Sequence, residues 1–223
     1  MTLLEVERLR VAFAGREVVH GLEFGIEAGE KLALVGESGS GKSVSALSLL
    51  RLVQGAVISG RALWQGEDLL RMNLPRLRGV RGSEIGMVFQ EPMTALNPLF
   101  SVGDQIAEVL ELKRGLTRAQ AWREAIAWLE RTGLPDAPQK AQQFPHQFSG
   151  GQRQRAMIAM ALASSPRLLL ADEPTTALDV TLRRQILQLL DDLQRQTGMA
   201  VLMITHDLHL VRRFADRVAV MER

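Results

Sequence analysis

The 223-residue chain has no cysteine and no tyrosine, and only 4% of it is aromatic. Without cysteine it can form no disulfide, no thiolate zinc site and no cysteine-held iron–sulfur cluster, which suits a reducing compartment. Without tyrosine little titrates between neutrality and the lysines, so a small surplus of 27 Lys and Arg over 25 Asp and Glu lifts the isoelectric point strongly. The formal charge of +2 gathers in no dense Lys/Arg stripe, so the footprint of a nucleic-acid partner is missing. Nor is there an apolar run of the ~20 residues that a spanning helix needs. The opening MTLLEVERLRVAF alternates charged with apolar residues and lacks the continuous apolar core of a signal peptide. At a membrane, such a chain would need another polypeptide to do the crossing. What is present, 46% hydrophobic and 23% charged residues, suffices for one α/β domain with a sizeable core.

Strands are expected over 3–13 and 18–27, split by Ala14-Gly15-Arg16, and over KLALV (31–35). A helix follows in SVSALSLLRLV and stops before Gly55. Segments 57–64 and 84–89 read as further strands, with the basic RMNLPRLRGVRG between them read as loop. From Pro92 to Gln147 the character turns helical, which predicts a helical subdomain inserted at 92–147. Within it Thr117 and Gln120 form a capping box, and Gly133 supplies a stop. FSGGQRQRAMIAMALASS reads as a helix, and RLLLAD and MAVLMIT as buried parallel strands. Val180–Thr197 is an amphipathic helix with Leu182, Ile186, Leu189, Leu190 and Leu193 on one face. A last helix spans Leu208–Ala215, and Val218–Met221 reads as a strand. Strand–helix alternation of this kind predicts an α/β fold with a mostly parallel sheet. A strand so near the last residue suggests a domain trimmed at its C-terminal side.

GESGSGKS matches G-x-x-x-x-G-K-[ST] between a predicted strand and a predicted helix. Gly36, Gly39 and Gly41 permit turns that aim N–H groups inward, with Glu37, Ser38 and Ser40 between them, as a nest for phosphate oxygens. The helix that follows adds the positive end of its dipole. Lys42, expected to lie at the surface outside the core, offers a charge to the β- and γ-phosphates, and Ser43 a hydroxyl to Mg²⁺. The plainer alternative is a glycine-rich turn with no ligand. LLLADE places Asp172 at the end of a buried strand, where it suits the Mg²⁺ shell. Glu173 points elsewhere and suits a general base for attacking water. A pair of solvated acids is the alternative there.

FSGGQ at 148–152 resembles the LSGGQ signature of ABC ATPases. With GESGSGKS, the glutamine of VFQEP, LLLADEP, TALD and ITHD, it completes an ordered set of family motifs along essentially the whole chain. The resemblance implies a P-loop NTPase (RecA-like) core, an N-terminal antiparallel β-subdomain and an inserted helical subdomain. QEPMTALNPL and PHQFSGGQRQRAMIAMALA resemble the peptide and nickel importer branch, oligopeptide and dipeptide types included, and most of all the first ATPase domain of microcin C-type peptide importers. Phe13 then takes the place of the aromatic that stacks on adenine, with a core Phe as the alternative. Gln90 matches the glutamine that reaches Mg²⁺ and water. Ser149, Gly150, Gly151 and Gln152 match the signature that meets the γ-phosphate of an ATP held by a second ATPase domain, and Asp179 matches the loop crossing that interface. His206 matches the switch histidine on the γ-phosphate.

The implied function is ATP hydrolysis driving solute or peptide uptake at the cytoplasmic face of the inner membrane. The implied partners are a second ATPase domain, in the same polypeptide or an identical chain, transmembrane permease subunits and, indirectly, a solute-binding protein. Phe148 replaces the usual Leu and Thr176 a frequent Ser. A soluble ABC ATPase of DNA repair or translation is the second reading, but no heptad run separates Lys42 from Ser149 and no cysteine could hold zinc. A phosphate-loop kinase would have no use for the signature or the switch histidine.

Overall fold

The computed structural model describes residues 2–176 and 178–222, the backbone alone at 93, 94 and 209. The chain begins with β1 (Thr2–Phe13), β2 (Arg16–Glu27), β3 (Lys31–Gly36), α1 (Lys42–Leu49), β4 (Ala56–Trp64), β5 (Glu67–Asp68) and α2 (Leu74–Val80). Then come β6 (Ile85–Val88), α3 (Pro92–Ala95), α4 (Val102–Arg114), α5 (Arg118–Arg131), α6 (Ala137–Ala141) and a 3₁₀ turn at Pro145–Gln147. They are followed by α7 (Gly150–Leu162), β7 (Leu168–Asp172), α8 (Val180–Thr197), β8 (Ala200–Thr205), α9 (Leu208–Phe214) and β9 (Arg217–Met221). The elements group into two compact units, Met1–Arg81 with Gly198–Arg223, and Gly82–Thr197.

The first unit holds an antiparallel sheet in the order β2-β1-β4-β5. Leu4, Leu9, Val11, Val19, Ile26, Ala62 and Trp64 turn to its buried side and are shielded from solvent. The same unit contains parallel strands, with β3 between β8 and β9. Their residues Leu32–Val35 and Ala200–Ile204 are apolar and buried throughout, as strands covered on both faces require.

Two local readings of the sequence change here. α1 stops at Leu49 rather than running toward Gly55, and Arg51 takes a left-handed φ of 52°. The stretch read as a basic loop contains α2. Asn73 caps it by accepting from the Arg76 N–H at 2.9 Å, Pro75 sits in the first turn where its missing N–H costs nothing, and Leu77 and Val80 are buried. The density of Arg and the proline hid that spacing.

The second unit pairs β6 with β7 in parallel. Between Pro92 and Gln147 the described regular elements are all helical. α4 and α5 both pack on α7. Thr117 and Gln120 form the expected capping box, and Gly133 follows the end of α5 at φ 73°. On α8, Ile186, Leu190 and Leu193 are buried while Leu182 and Leu189 are half-buried. Each fully buried side chain of this kind contributes about 1.5–3 kcal/mol.

Candidate functional site

In the first unit the segment after β3 is a compact loop. The Ser40 N–H donates to the Glu37 carbonyl at 3.2 Å, and Gly41 is the N-cap of α1 with φ 91°. An alanine Cβ at Gly41 would stand 2.6 Å from the Val18 carbonyl oxygen, so the position excludes a side chain twice over. Gly36 is not left-handed. Its constraint is space, because a Cβ there would lie 2.4 Å from the Met221 carbonyl oxygen on β9. No side chain caps α1 and its first turn has no acidic residue, so its N–H groups and dipole end remain suited to an anion.

Lys42 differs from the expectation of a surface residue. It is 6% exposed, and its Nζ donates to the Gly36 carbonyl at 2.8 Å and the Glu37 carbonyl at 2.7 Å, with Ser40 Oγ at 3.5 Å. The ammonium is thus held by two carbonyls of its own loop. Ser43 is half-buried beside it.

Val35 pairs with Thr205 across β3 and β8, so the phosphate loop and His206 leave the sheet at the same carboxyl end. His206 is exposed. The next residue is fixed by an Asp207 N–H to Thr205 Oγ1 bond of 3.1 Å, and Asp207 Oδ1 accepts from the Leu210 N–H at 3.3 Å at the start of α9. Phe13 ends β1 opposite Arg16 and Ala56 and is half-buried.

In the second unit Val88 pairs with Ala171, which brings Gln90 and the Asp172-Glu173 pair to one end of β6 and β7. That carboxyl end is where parallel α/β sheets bind ligands. Asp172 is 4% exposed and Glu173 9%, whereas Gln90 is exposed. Glu173 has φ 47°, a left-handed conformation costing a side-chain-bearing residue about 1–3 kcal/mol. The Thr176 hydroxyl donates to Glu173 Oε2 at 2.5 Å, and the Thr176 N–H to the Glu173 carbonyl at 3.3 Å. Arg183 on α8 donates to the Leu178 carbonyl at 2.8 Å and the Thr176 carbonyl at 3.4 Å, bracing the segment that leads to Asp179. Asp179 Oδ1 accepts from the Leu182 N–H at 3.0 Å and so caps α8.

Ser149 caps α7, its Oγ accepting from the Gln152 N–H at 3.3 Å while Gln152 Oε1 accepts from the Ser149 N–H at 3.0 Å. The two glycines after it differ. A Cβ at Gly151 would meet Leu182 of α8 at 2.4 Å, so packing explains that residue. A Cβ at Gly150 would meet no described atom within 4 Å. Ser149 and Gly150 are exposed, and Phe148 is buried with Lys140 Nζ over its ring. Arg155 further along α7 donates to the Thr132 carbonyl at 2.7 Å and to Gln185 at 3.1 Å, and burial holds its guanidinium below the usual arginine pKa.

The sequence offered no sign of the bracing by Arg183 or Arg155, and marked Thr176 only as a substitution. Among the described residues no group of three or more His, Asp or Glu could hold a metal by itself, and no helix is long and apolar enough to cross a membrane.

The profile of the family described as ABC transporter matches residues 19–176. The chain is 53% identical over 228 residues to the uncharacterized ABC transporter ATP-binding protein YejF of Escherichia coli (strain K12), a match covering 99% of this chain and 43% of that protein. It is 49% identical over 226 residues to the oligopeptide transport ATP-binding protein OppD of Bacillus subtilis (strain 168), covering 98% of this chain and 63% of that one. The chain thus spans less than two thirds of the length of these relatives. Its fold is similar to the ATP-binding cassette MJ0796, solved as a dimer in a post-hydrolysis state bound to ADP and Pi. That match has a TM-score of 0.86 and 29% identity, covering 98% of this chain and 94% of the other.

Proposed function

This chain belongs to the ABC transporter family and carries its ATPase domain, and from that premise we propose that it hydrolyses ATP between two such domains to drive peptide uptake through a separate permease. The observation that carries the reading is the open start of α7. Ser149 and Gly150 are exposed at the start of α7, and a Cβ at Gly150 would meet no described atom within 4 Å, so packing within its own unit does not explain that glycine. An anion brought by a second copy, or by a second domain of the same polypeptide, fits that end.

In this reading Gly36, Glu37, Ser38, Gly39, Ser40, Gly41, Lys42 and Ser43 hold the phosphates and Phe13 stacks on the adenine. Lys42 exchanges its two loop carbonyls for β- and γ-phosphate oxygens when nucleotide enters. Glu173 orients and deprotonates water. The water oxygen bonds to the γ-phosphorus as the bond to the β-bridging oxygen breaks, ADP departs, and charge on the transferring group is met by Lys42 and His206. Ser43, Gln90 and Asp172 would hold Mg²⁺. A hydroxyl, an amide and one buried carboxylate fit that ion, which takes few protein ligands and completes its shell with phosphate and water. When bound, Mg²⁺ supplies charge neutralisation on the β- and γ-phosphates. Gln152 and Asp179 join Ser149, Gly150 and Gly151 at the partner's nucleotide.

In this reading the permease presses on the stretch from Gln90 through Pro98 and the helices after it, next to the loop that carries Leu99 and Phe100, 79% and 55% exposed. Gln105 braces this loop by accepting from the Asn97 N–H and donating to the Asn97 and Phe100 carbonyls. Beside it lies a cavity of about 650 Å³ lined in part by Phe100, Asp104, Glu108 and Met160. Peptide as the solute rests on the likeness to OppD, and the site of work is the cytoplasmic face of the membrane, with a solute-binding protein met only through the permease.

Ser149→Arg tests the arrangement. ATP binding measured by calorimetry on the separated chain should persist, and phosphate release should vanish, because the cation and bulk block only the partner's half of the site. Loss of binding in the separated chain would place the signature on its own chain's nucleotide and overturn the reading.

A further inference from the structure

We propose that Thr176 is a positioning residue for hydrolysis, its hydroxyl holding the Glu173 carboxylate in the orientation from which it receives the water proton. The inference rests on Glu173 being the base. Glu173 stands in a backbone conformation that does not hold itself, left-handed at φ 47° on a residue with a full side chain. A carboxylate reaching out from such a turn has three further torsions free unless something fixes its head. Thr176 fixes it at both ends. Its N–H closes the turn on the Glu173 carbonyl, and its Oγ1 stands 2.5 Å from Oε2. A hydroxyl facing an ionised carboxylate can only donate, and the separation falls in the range of about 2.5–2.7 Å typical of charge-assisted O–H···O⁻ bonds.

The donor is itself anchored. Arg183 grips the carbonyl of Thr176 and that of Leu178 from α8, the helix whose start Asp179 caps. The chain of contacts therefore runs from α8 through Arg183 and Thr176 to one oxygen of Glu173. Positioning of this sort acts on turnover and leaves nucleotide binding alone, because Thr176 touches the Glu173 carboxylate and is not among the residues assigned to the nucleotide.

The test compares Thr176→Val, which keeps the branched shape and removes the donor, with Thr176→Ser, which keeps the donor. Each is made in the parent chain and with Glu173→Gln. Steady-state phosphate release, the KM for ATP and ATP-dependent association by sedimentation are measured. Thr176→Val should lower kcat about tenfold, a modest share of what a positioned base contributes, with KM unchanged. Thr176→Ser should stay within about twofold of the parent. Added to Glu173→Gln, Thr176→Val should change neither the residual release nor the ATP-dependent association. Parental kcat in Thr176→Val overturns the proposal while Glu173 stands, provided Glu173→Gln is inactive. Weakened association in the double variant overturns it too, by giving Thr176 a role at the interface instead. Normal turnover in Glu173→Gln sinks both the base and its positioner.

Discussion

Lys42→Met separates the structural work of the phosphate-loop lysine from its work on nucleotide. Methionine keeps the unbranched stem and some of the burial but removes the ammonium. Two charge-assisted bonds are lost, to the carbonyls of Gly36 and Glu37 at 2.8 and 2.7 Å. Hydrogen bonds to charged groups contribute about 1.5–3 kcal/mol each. Part of that returns, because the ammonium of a side chain only 6% exposed no longer has to be desolvated and the loop carbonyls can take up water. A net loss of about 2–4 kcal/mol follows. In a domain of this size it lowers Tm by roughly 2–4 °C per kcal/mol, or about 4–16 °C. The assay is thermal unfolding with and without MgATP. At a hundred times Kd, ligand should stabilise the parent by about 2.7 kcal/mol and raise its Tm accordingly. The variant should melt lower without nucleotide and show no rise with it. Parental melting in Lys42→Met would refute the structural role drawn from the two carbonyl bonds. A preserved MgATP-induced rise would refute the phosphate role.

Gly36→Ala drives a Cβ to 2.4 Å from the Met221 carbonyl and 2.9 Å from Ser40 Oγ, so β3 and β9 must part locally. A loss of about 1–3 kcal/mol in urea unfolding is expected, and an unchanged midpoint would contradict the close approach. Phe13→Ala removes a half-buried ring at a strand end. Loss of adenine stacking should raise the KM for ATP about three- to tenfold with kcat retained, whereas a fall in stability with KM unchanged would return Phe13 to the core.

Much of this was legible because each element announces itself by a local physical device. KLALV and RLLLAD are too apolar and too short to be anything but covered strands, and they became β3 and β7. Thr117 and Gln120 marked the start of α5, and Ser149 and Gln152 cap α7 in the same way. What stayed hidden depends on residues meeting across elements. β5 is two residues long and exists only by pairing with Leu63 and Trp64. α2 was masked by its arginines and proline, although Leu77 and Val80 carry the spacing of a buried helical face. At the site, motif spacing named Lys42 but gave no hint that its ammonium closes on its own loop. It named Glu173 but not the left-handed backbone or the Thr176 hydroxyl that accompany it. The two signature glycines looked alike in sequence, and only packing against Leu182 tells Gly151 from Gly150.

The central claim, ATP held between two domains and cleaved with Glu173 as base, meets its most direct test in Glu173→Gln. The measurement is sedimentation at several protein concentrations with and without MgATP, alongside phosphate release, on the chain alone and mixed with a second ATPase domain. The account predicts a variant that binds ATP, releases almost no phosphate and sediments as a dimer only when nucleotide is present. A variant that releases phosphate at the parental rate, or that binds ATP and stays monomeric even with the second domain supplied, would contradict it.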